Sequence, residues 1–263
     1  MNDSDQFKAQ IDAIEQQTLR IFSELAEKTS QFELPKLPQA VDEYRQKLEE
    51  NTYNVLVVGE AKRGKSSFVN ALIGKDLLPT DVDIATNQIF RVSYAEQEAY
   101  RLRFEDESTR DITAQELVEY GSQMVADRIG LSLPNLYFLR WIEVDAPIRF
   151  LPPRVSLLDT PGLGSLYAAH AQLTQRFVPR ADAVIFVLDS NQPVLQFELD
   201  FVEALLKVTR HIFFIQTKID LYDKEDWQRV LQRNEEILQN HFKDRLDDTR
   251  VWPISNLNLM KAA

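Results

Sequence analysis

Residues 53–67 read Tyr-Asn-Val-Leu-Val-Val-Gly-Glu-Ala-Lys-Arg-Gly-Lys-Ser-Ser, and this stretch decides the fold. The first six residues form an apolar run, rich in β-branched side chains, that is typical of a buried parallel strand. The next nine contain the complete pattern G-x-x-x-x-G-K-[ST], and a helix-permissive segment with an apolar face follows as far as Ile73. Strand, glycine-rich loop and helix in this order predict a phosphate-binding loop (P-loop), because backbone N–H groups and the positive end of the helix dipole surround phosphate oxygens there.

Several residues of this loop are candidates for direct contact with a nucleotide. We expect Lys65 to neutralise the terminal phosphates and the Ser66 hydroxyl to ligate Mg²⁺. The other residues that we expect to line the phosphates are Gly59, Glu60, Ala61, Arg63, Gly64 and Ser67. The alternative interpretation of this loop is a structural glycine turn.

A second motif on the phosphate side, Asp159-Thr160-Pro161-Gly162, follows the apolar strand 155–158. A carboxylate at the carboxyl end of a parallel strand can hold Mg²⁺ through a water ligand. The amide of Gly162 can donate a hydrogen bond to a γ-phosphate oxygen. The pattern therefore predicts that Asp159 lies beside the metal and Gly162 beside the last phosphate.

A third motif indicates which base is bound. Residues 217–220 read Thr-Lys-Ile-Asp after the apolar strand 211–216, and they resemble the [NT]-K-x-D guanine-recognition motif of GTPases. In that motif the Asp carboxylate accepts hydrogen bonds from guanine N1–H and the 2-amino group, and the Lys stem lies along the base. Adenine lacks this pair of donors and would leave the carboxylate unsatisfied, although the tetrapeptide alone could also be a solvated turn. The candidate base contacts are Thr217, Lys218 and Asp220, joined by Ser255 and Asn256 in the last short strand and turn, 251–256.

The segment between these motifs narrows the family. Lys65 and Asp159 lie much further apart than in small Ras-like GTPases, so an insertion or an enlarged switch region separates them. Residues 77–89, Leu-Leu-Pro-Thr-Asp-Val-Asp-Ile-Ala-Thr-Asn-Gln-Ile, resemble the first switch of the dynamin superfamily, and of bacterial dynamin-like proteins in particular. The phosphate-binding loop and the Thr-Lys-Ile-Asp form of the base motif are similar to the same proteins. The resemblance covers about residues 50–257.

The resemblance implies roles for residues in and beside the switches. It makes Thr86 the switch threonine, whose hydroxyl and carbonyl reach Mg²⁺ and the attacking water. Thr80 is the alternative candidate for the switch threonine, but beside Pro79 it reads as a turn residue. Leu163 stands where Ras-like GTPases carry the glutamine that orients water, and the dynamin family supplies that role by closing one GTPase domain against another. We hypothesise that the Lys62 ammonium stabilises charge on the β–γ bridge in place of a monovalent cation. The alternative is that Lys62 or Arg63 is a solvated loop charge.

The alternation of apolar strands and amphipathic segments predicts an α/β fold: a three-layer P-loop GTPase fold with a mostly parallel central sheet, enlarged relative to Ras-like proteins. We divide the chain into an N-terminal helical arm, residues 1–50, and a GTPase domain, residues 51–263. In the arm, apolar spacing predicts one helix over 5–29 and a shorter one over 39–50. We expect the chain to be a GTPase domain cut from a longer protein, the alternative being a short natural form whose arm packs on its own core or on another copy.

The middle of the chain is less regular. Its strand-like segments are a hairpin of residues 89–94 and 100–104 and a strand over 138–148, while residues 108–134 read as an insertion beside the sheet. A capping box that begins at Thr113 predicts a helix to about Asp127. Further helices are predicted over 167–178, 194–208 and 224–247.

Composition argues against several other classes of protein. A net charge of −11 disfavours nucleic acid as the main partner, and it disfavours attachment to anionic lipid by charge alone. No apolar run reaches transmembrane length, the acidic start lacks the pattern of a signal peptide, and the chain has no cysteine. These features favour a cytoplasmic location. The three histidines have no metal-ligand spacing: His170, His211 and His241.

Together, the motifs and the resemblance lead us to expect Mg²⁺-dependent hydrolysis of GTP to GDP and phosphate, coupled to nucleotide-dependent self-association through the GTPase domain. The resemblance further implies membrane remodelling, with lipid contacted only through regions that this chain lacks. One alternative is a GTP-binding switch or scaffold with little hydrolysis, which Leu163 favours. Two others are a GTPase of ribosome or RNA maturation and an ATP-using P-loop enzyme.

Overall fold

A computed structural model describes residues 16–25, 27–28, 52–80, 88–121, 139–162, 178 and 181–262. The chain separates into two compact units, residues 1–52 and 53–263. In the first unit, residues 16–25 and 27–28 are helical. The remainder of the predicted helix 5–29 and the predicted helix 39–50 lie outside the described residues. Among the helices that are described, none combines the length and the apolarity needed to cross a membrane.

The second unit is built on one nine-stranded sheet. Its strands, in chain order, are β1 (Tyr53–Val58), β2 (Phe90–Tyr94), β3 (Ala99–Phe104), β4 (Thr109–Ile112), β5 (Leu139–Ala146), β6 (Val155–Asp159), β7 (Ala183–Asp189), β8 (Ile212–Thr217) and β9 (Val251–Pro253). The helices are α1 (Lys65–Ile73), α2 (Ala114–Gly121), α3 (Gln196–Leu205), α4 (Lys224–Phe242) and α5 (Asn256–Ala262), with a 3₁₀ turn at Ile219–Leu221. The order across the sheet is β4-β3-β5-β2-β6-β1-β7-β8-β9.

Most strand pairings are parallel, as predicted. The parallel pairs are β1–β6, β1–β7, β2–β5, β7–β8 and β8–β9, and the antiparallel pairs are β2–β6, β3–β4 and β3–β5. Because successive residues of a strand face opposite sides, Leu56 of β1 packs in an apolar cluster with residues of α3 and α4. Its neighbour Val57 packs in a second cluster with residues of α1 and α2. Helices on both faces of the sheet confirm the three-layer α/β fold.

The predicted hairpin between residues 89–94 and 100–104 is wrong, because β5 lies between β2 and β3. The buried Glu143 of β5 helps to hold this arrangement. Its carboxylate accepts a hydrogen bond of 3.1 Å from Arg101 Nε of β3 and lies 3.9 Å from Arg91 Nη1 of β2. A short turn between two strand-like segments predicts a hairpin, but the charges and apolar faces of a strand distant in sequence decide the pairing.

The segment that we predicted as an insertion beside the sheet contributes a strand to it. Residues 109–112 form the edge strand β4, antiparallel to β3. The predicted capping box begins α2, since the N–H of Thr113 donates to Glu116 Oε2 at 2.8 Å and the N–H of Glu116 donates to Thr113 Oγ1 at 3.2 Å. A strand of four residues with three exposed side chains has too little apolar alternation to be recognised in a sequence.

The remaining predicted elements are recovered where the structure describes them. The helices predicted over 194–208 and 224–247 are observed as the shorter α3 and α4, and the last strand is β9. Of the helix predicted over 167–178, only residue 178 is described. The helix predicted from Thr113 to about Asp127 is described only as far as Gly121.

Candidate nucleotide-binding site

The P-loop connects β1 to α1 at the carboxyl ends of the parallel strands, where α/β proteins bind ligands. Its turn contains two left-handed residues, Lys62 with φ 64° and Gly64 with φ 86°. Gly64 directly precedes α1, so the loop leads into the N-terminus of a helix. Gly59 packs so closely on β7 that a Cβ atom there would lie 2.4 Å from the carbonyl oxygen of Val187. The loop is therefore pressed against the sheet, with the helix dipole directed at it.

Lys65 lies along the inside of this loop. Its Nζ donates to the carbonyl oxygens of Gly59 at 3.1 Å and Glu60 at 3.0 Å, and the residue is 6% exposed. Burial lowers the pKa of Lys65, and the negative charges of Asp159 and Glu60 oppose that shift. Phosphate oxygens would offer this ammonium stronger, charged acceptors than the two carbonyls do.

Ser66 and Asp159 form the predicted metal side of the site. Ser66 Oγ donates to Asp159 Oδ2 at 2.7 Å. Burial raises the pKa of Asp159 to about 6, opposed by Lys65, by the Ser66 hydroxyl and by the N–H of Thr160. Among the described residues, the buried Oδ1 of Asp159 has no hydrogen-bond partner. A hydroxyl beside an unsatisfied carboxylate oxygen suits Mg²⁺, which binds few protein oxygens and completes its shell with water and phosphate.

The described part of the chain contains no group of three or more His, Asp or Glu side chains that could hold a metal without such help. Ser66 and Asp159 offer two oxygens that Mg²⁺ could use, with water and phosphate to complete its shell. The fit of these two residues to Mg²⁺ rests on their own geometry.

The segment after β6 lies directly against the P-loop. A Cβ atom on Gly162 would lie 2.5 Å from Ala61 Cα, so only glycine fits this position without displacing the loop. The hydroxyl of Thr160 donates to the carbonyl oxygen of Val57 at 2.7 Å, which ties the segment to β1. The predicted hydrogen bond from the Gly162 amide to a γ-phosphate stays a prediction, although the segment has the position that this contact requires.

The base motif and the last loop are hydrogen-bonded to the P-loop. Three consecutive P-loop carbonyl oxygens accept hydrogen bonds from side chains of the base motif and the last loop. The pairs are Lys218 Nζ to Lys62 at 2.6 Å, Thr217 Oγ1 to Arg63 at 2.6 Å, and Asn256 Nδ2 to Gly64 at 3.3 Å. These three hydrogen bonds tie the P-loop to the base motif and to the last loop. The structure therefore brings together three motifs that lie far apart in the sequence.

Asp220 and Ser255 differ in their surroundings. Asp220 is exposed within the 3₁₀ turn that follows Lys218, so its carboxylate is accessible to a base. Ser255 Oγ accepts a hydrogen bond of 3.2 Å from the N–H of Asn258 and begins α5. The side chain of Ser255 is thus a helix cap, and its contact with a base stays a prediction.

The structure corrects the interpretation of Arg63. This residue is 1% exposed, and its guanidinium donates to Asp189 Oδ1 and Glu198 Oε2, both at 2.9 Å. It is neither a solvated loop charge nor a side chain directed at phosphate, so any contact of Arg63 with a nucleotide is limited to its backbone. Lys62, in contrast, is exposed. Sequence reasoning missed Asp189 and Glu198, although Asp189 ends an apolar strand just as Asp159 does.

Thr86, the predicted switch threonine, and Leu163, which stands where Ras-like GTPases carry a water-orienting glutamine, lie outside the described residues, as does His170. Their roles stay predictions.

Comparison with known proteins shows which family this chain is similar to. A sequence profile of the dynamin family matches residues 55–219. An uncharacterized protein from the xynA 3′ region of Caldicellulosiruptor sp. (strain Rt8B.4) is 28% identical over 241 residues, which are 91% of this chain and 58% of that protein. The bacterial dynamin-like protein of Nostoc punctiforme is 26% identical over 235 residues, 81% of this chain and 34% of that protein. A solved structure of an oligomerised bacterial dynamin pair has a TM-score of 0.66 at 18% identity, covering 96% of this chain and 41% of that chain.

The profile match spans more than half of the chain, so the chain belongs to the dynamin family. Its nucleotide-binding unit is a GTPase domain. The solved structure supports the same mixed α/β fold. The chain spans 58% of the length of the first relative and 34% of the second.

Proposed function

We propose that this chain binds GTP with Mg²⁺ at the P-loop and the base motif, hydrolyses it to GDP and phosphate, and self-associates in a nucleotide-dependent manner. The observation that carries the proposal is the set of hydrogen bonds from Lys218, Thr217 and Asn256 to three consecutive P-loop carbonyls. The first two of these bonds join the P-loop directly to the Thr-Lys-Ile-Asp motif. Asp220 accepts hydrogen bonds from guanine N1–H and the 2-amino group, and the stem of Lys218 lies along the base.

The reaction is an attack of water on the γ-phosphorus. The bond from this phosphorus to the β–γ bridging oxygen breaks, GDP leaves with the electron pair, and the proton of the water passes to the phosphate product. Lys65 neutralises the β- and γ-phosphates, and Lys62 stabilises the charge that develops on the bridging oxygen. Bound Mg²⁺, held by Ser66, by Thr86 and through water by Asp159, would add further neutralisation of the phosphate charge.

The proposed self-association is based on Leu163. A leucine has no polar atom with which to orient the attacking water, so we propose that a second GTPase domain completes the site across the nucleotide. A structure of an oligomerised bacterial dynamin pair is similar in fold to this chain, which supports self-association as the mode of action.

Turnover of GTP per molecule over a wide range of protein concentration tests this proposal. A specific rate that rises with concentration is expected, because the site would be completed in trans. A flat and appreciable rate would mean that one chain is sufficient. A rate near background throughout would instead favour a GTP-binding switch or scaffold, the second candidate, which the leucine at 163 keeps open.

The activity of the whole protein is a wider proposal. The related dynamin pair is described as sensing and tethering membranes at long range. We propose a cytoplasmic protein that acts on membranes through regions outside this chain, since the net charge of −11 disfavours binding of this chain to anionic lipid or nucleic acid. Sedimentation with anionic vesicles should therefore leave this chain in the supernatant, with or without GTP.

A further inference from the structure

Four charged side chains form a network behind the P-loop, which we call the Arg63 network: Arg63, Asp189, Glu198 and Lys218. Arg63 and Glu198 are 1% and 0% exposed, and Asp189 is 7% exposed. The buried Arg63 and the partly exposed Lys218 face two anions, so the charges of the whole network balance. The P-loop takes part in these contacts through the side chain of Arg63 and the carbonyl oxygen of Lys62.

Asp189 connects the two halves of the nucleotide site. Its Oδ1 accepts hydrogen bonds from Arg63 Nη1 at 2.9 Å and from the N–H of Asn191 at 3.1 Å. Its Oδ2 accepts from Lys218 Nζ at 3.3 Å. Asp189 is the last residue of β7, which lies in the sheet between β1 and β8, the strands that lead into the P-loop and the base motif. One carboxylate therefore contacts both loops.

Glu198 holds the guanidinium from a second element. Its Oε2 accepts hydrogen bonds from Arg63 Nη2 and from the N–H of Leu195, both at 2.9 Å. Glu198 lies in the first turn of α3. Because a guanidinium is planar and its donors form a fixed fork, two carboxylates on two elements set its orientation. That orientation in turn fixes Oδ1 of Asp189 and leaves Oδ2 for Lys218.

Lys218 is the most exposed member of the network, with 29% of its side chain accessible. The lysine stem must be extended to lie along a guanine, and its ammonium is held at that extension by the Lys62 carbonyl at 2.6 Å and by Asp189 Oδ2 at 3.3 Å. Without the carboxylate, the ammonium would retain one of these two partners and the stem would have more rotamers available. Ordering it on a base would then cost more conformational entropy.

We propose that Asp189, held in place by Arg63 and Glu198, is a positioning residue for Lys218 and thereby a determinant of guanine affinity. The inference rests on the proposed binding of GTP at this site. It gives Arg63 an internal role, in which the guanidinium supports base recognition through Asp189 without touching the nucleotide.

A double-mutant cycle on GDP affinity with Asp189→Asn and Lys218→Met, measured by calorimetric titration, tests the link. Asp189→Asn alone should weaken GDP binding about tenfold, and Lys218→Met should weaken it at least as much. The double variant should bind GDP no more weakly than Lys218→Met, because a residue that acts through Lys218 has no effect once Lys218 is removed. Pyrophosphate, which contacts only the P-loop, should bind Asp189→Asn as it binds the wild type. Lys218→Met is not judged by this probe, because it also removes the hydrogen bond to the Lys62 carbonyl of the P-loop.

Additive losses in the double variant would overturn the proposal, as would unchanged GDP affinity in Asp189→Asn. A parallel loss of pyrophosphate affinity would also overturn it, because Asp189 would then support the P-loop itself. If Asp189→Asn does not fold, Arg63→Lys tests the same dependence of Lys218 on Asp189. This substitution keeps the positive charge but loses the forked guanidinium donors. Its loss of GDP affinity should likewise disappear in the Lys218→Met background.

Glu203→Gln is the matched control. Glu203 lies on α3 as Glu198 does and pairs with Arg245 through two hydrogen bonds of 2.6 and 2.7 Å, but it belongs to no part of the site. Loss of the Glu203 charge in this variant should leave GDP affinity unchanged. Equal affinity of the wild type for GDP and ADP would refute the proposed function itself. A wild type that prefers GDP, together with an Asp189→Asn variant of the same affinity, would refute this inference alone.

Discussion

The ammonium of Lys218 lies 2.6 Å from the carbonyl oxygen of Lys62, and both residues have a left-handed backbone, with φ angles of 63° and 64°. Such a conformation costs a non-glycine residue on the order of 1 kcal/mol or more, so surrounding contacts must hold it. The hydrogen bond between the two residues fixes the turn of the P-loop from the base side. It also uses only the backbone of Lys62, whose side chain is exposed on the same turn.

Replacing Lys62 with alanine should therefore lower kcat for GTP hydrolysis by about 100-fold at nearly unchanged GTP affinity, because the ammonium is lost while the carbonyl held by Lys218 remains. Phosphate release at saturating GTP measures the change. Lys62→Gly is the matched control: kcat should be equally low, but the free energy of unfolding should exceed that of Lys62→Ala by about 1 kcal/mol, since glycine relieves the left-handed strain. An unchanged kcat in both variants would remove Lys62 from the reaction.

The stability of the nucleotide-free protein should depend on Asp159. Burial raises its pKa from 3.8 to about 6, so between these values the folded state binds a proton that the unfolded state has released. The free energy of unfolding should accordingly fall as pH rises through this window and level off above about 6, by up to about 3 kcal/mol from this residue.

Urea unfolding in metal-free buffer measures this dependence, with Asp159→Asn as the reference. The variant lacks the titrating carboxyl group, so the wild-type curve minus the variant curve should decline with rising pH between 3.8 and about 6. Parallel curves for the two proteins would contradict the prediction. At neutral pH the variant should be the more stable protein, yet it should lose Mg²⁺-dependent GTP binding.

Gly162 should tolerate no side chain. A methyl group there would lie 2.5 Å from Ala61 Cα and 2.7 Å from Ala61 N, so Gly162→Ala must displace the P-loop or the segment after β6. We expect a loss of about 1–3 kcal/mol in the free energy of unfolding and a larger loss of affinity for GTP than for GDP. The double variant Ala61→Gly/Gly162→Ala should recover little, because backbone atoms of residue 61 cause most of the clash. Full recovery would show that side chains alone were in conflict.

Replacing Arg63 or Glu198 alone should destabilise the fold more than replacing both residues together. Arg63→Met leaves Glu198 buried without its cation and should cost about 3–5 kcal/mol, and Glu198→Met should cost a similar amount. The double variant replaces both charges by apolar groups and should regain a large part of that stability. Thermal unfolding of the three variants measures the coupling, and strictly additive losses would argue that the pair is not an energetic unit.

The local parts of the fold and site could be predicted from the sequence. The strand β1, the P-loop and α1 follow one another directly, and the roles of Lys65 and Ser66 depend on spacing within that short stretch. Asp159 could be located because it ends an apolar strand. The pairing of the strands within residues 89–104 could not be predicted from the sequence. Strand pairing is decided by the faces of partners that are distant in the chain.

The sequence by itself determined the α/β class, the P-loop and the guanine motif, since each is written in residue types at fixed short spacing. Only the tertiary structure decided what Arg63 does. By spacing, Arg63 is a loop charge, yet the fold brings Asp189 and Glu198, 126 and 135 residues away along the chain, around its guanidinium. A buried charge is tolerated only where oppositely charged partners converge on it, and that convergence is a property of the folded chain.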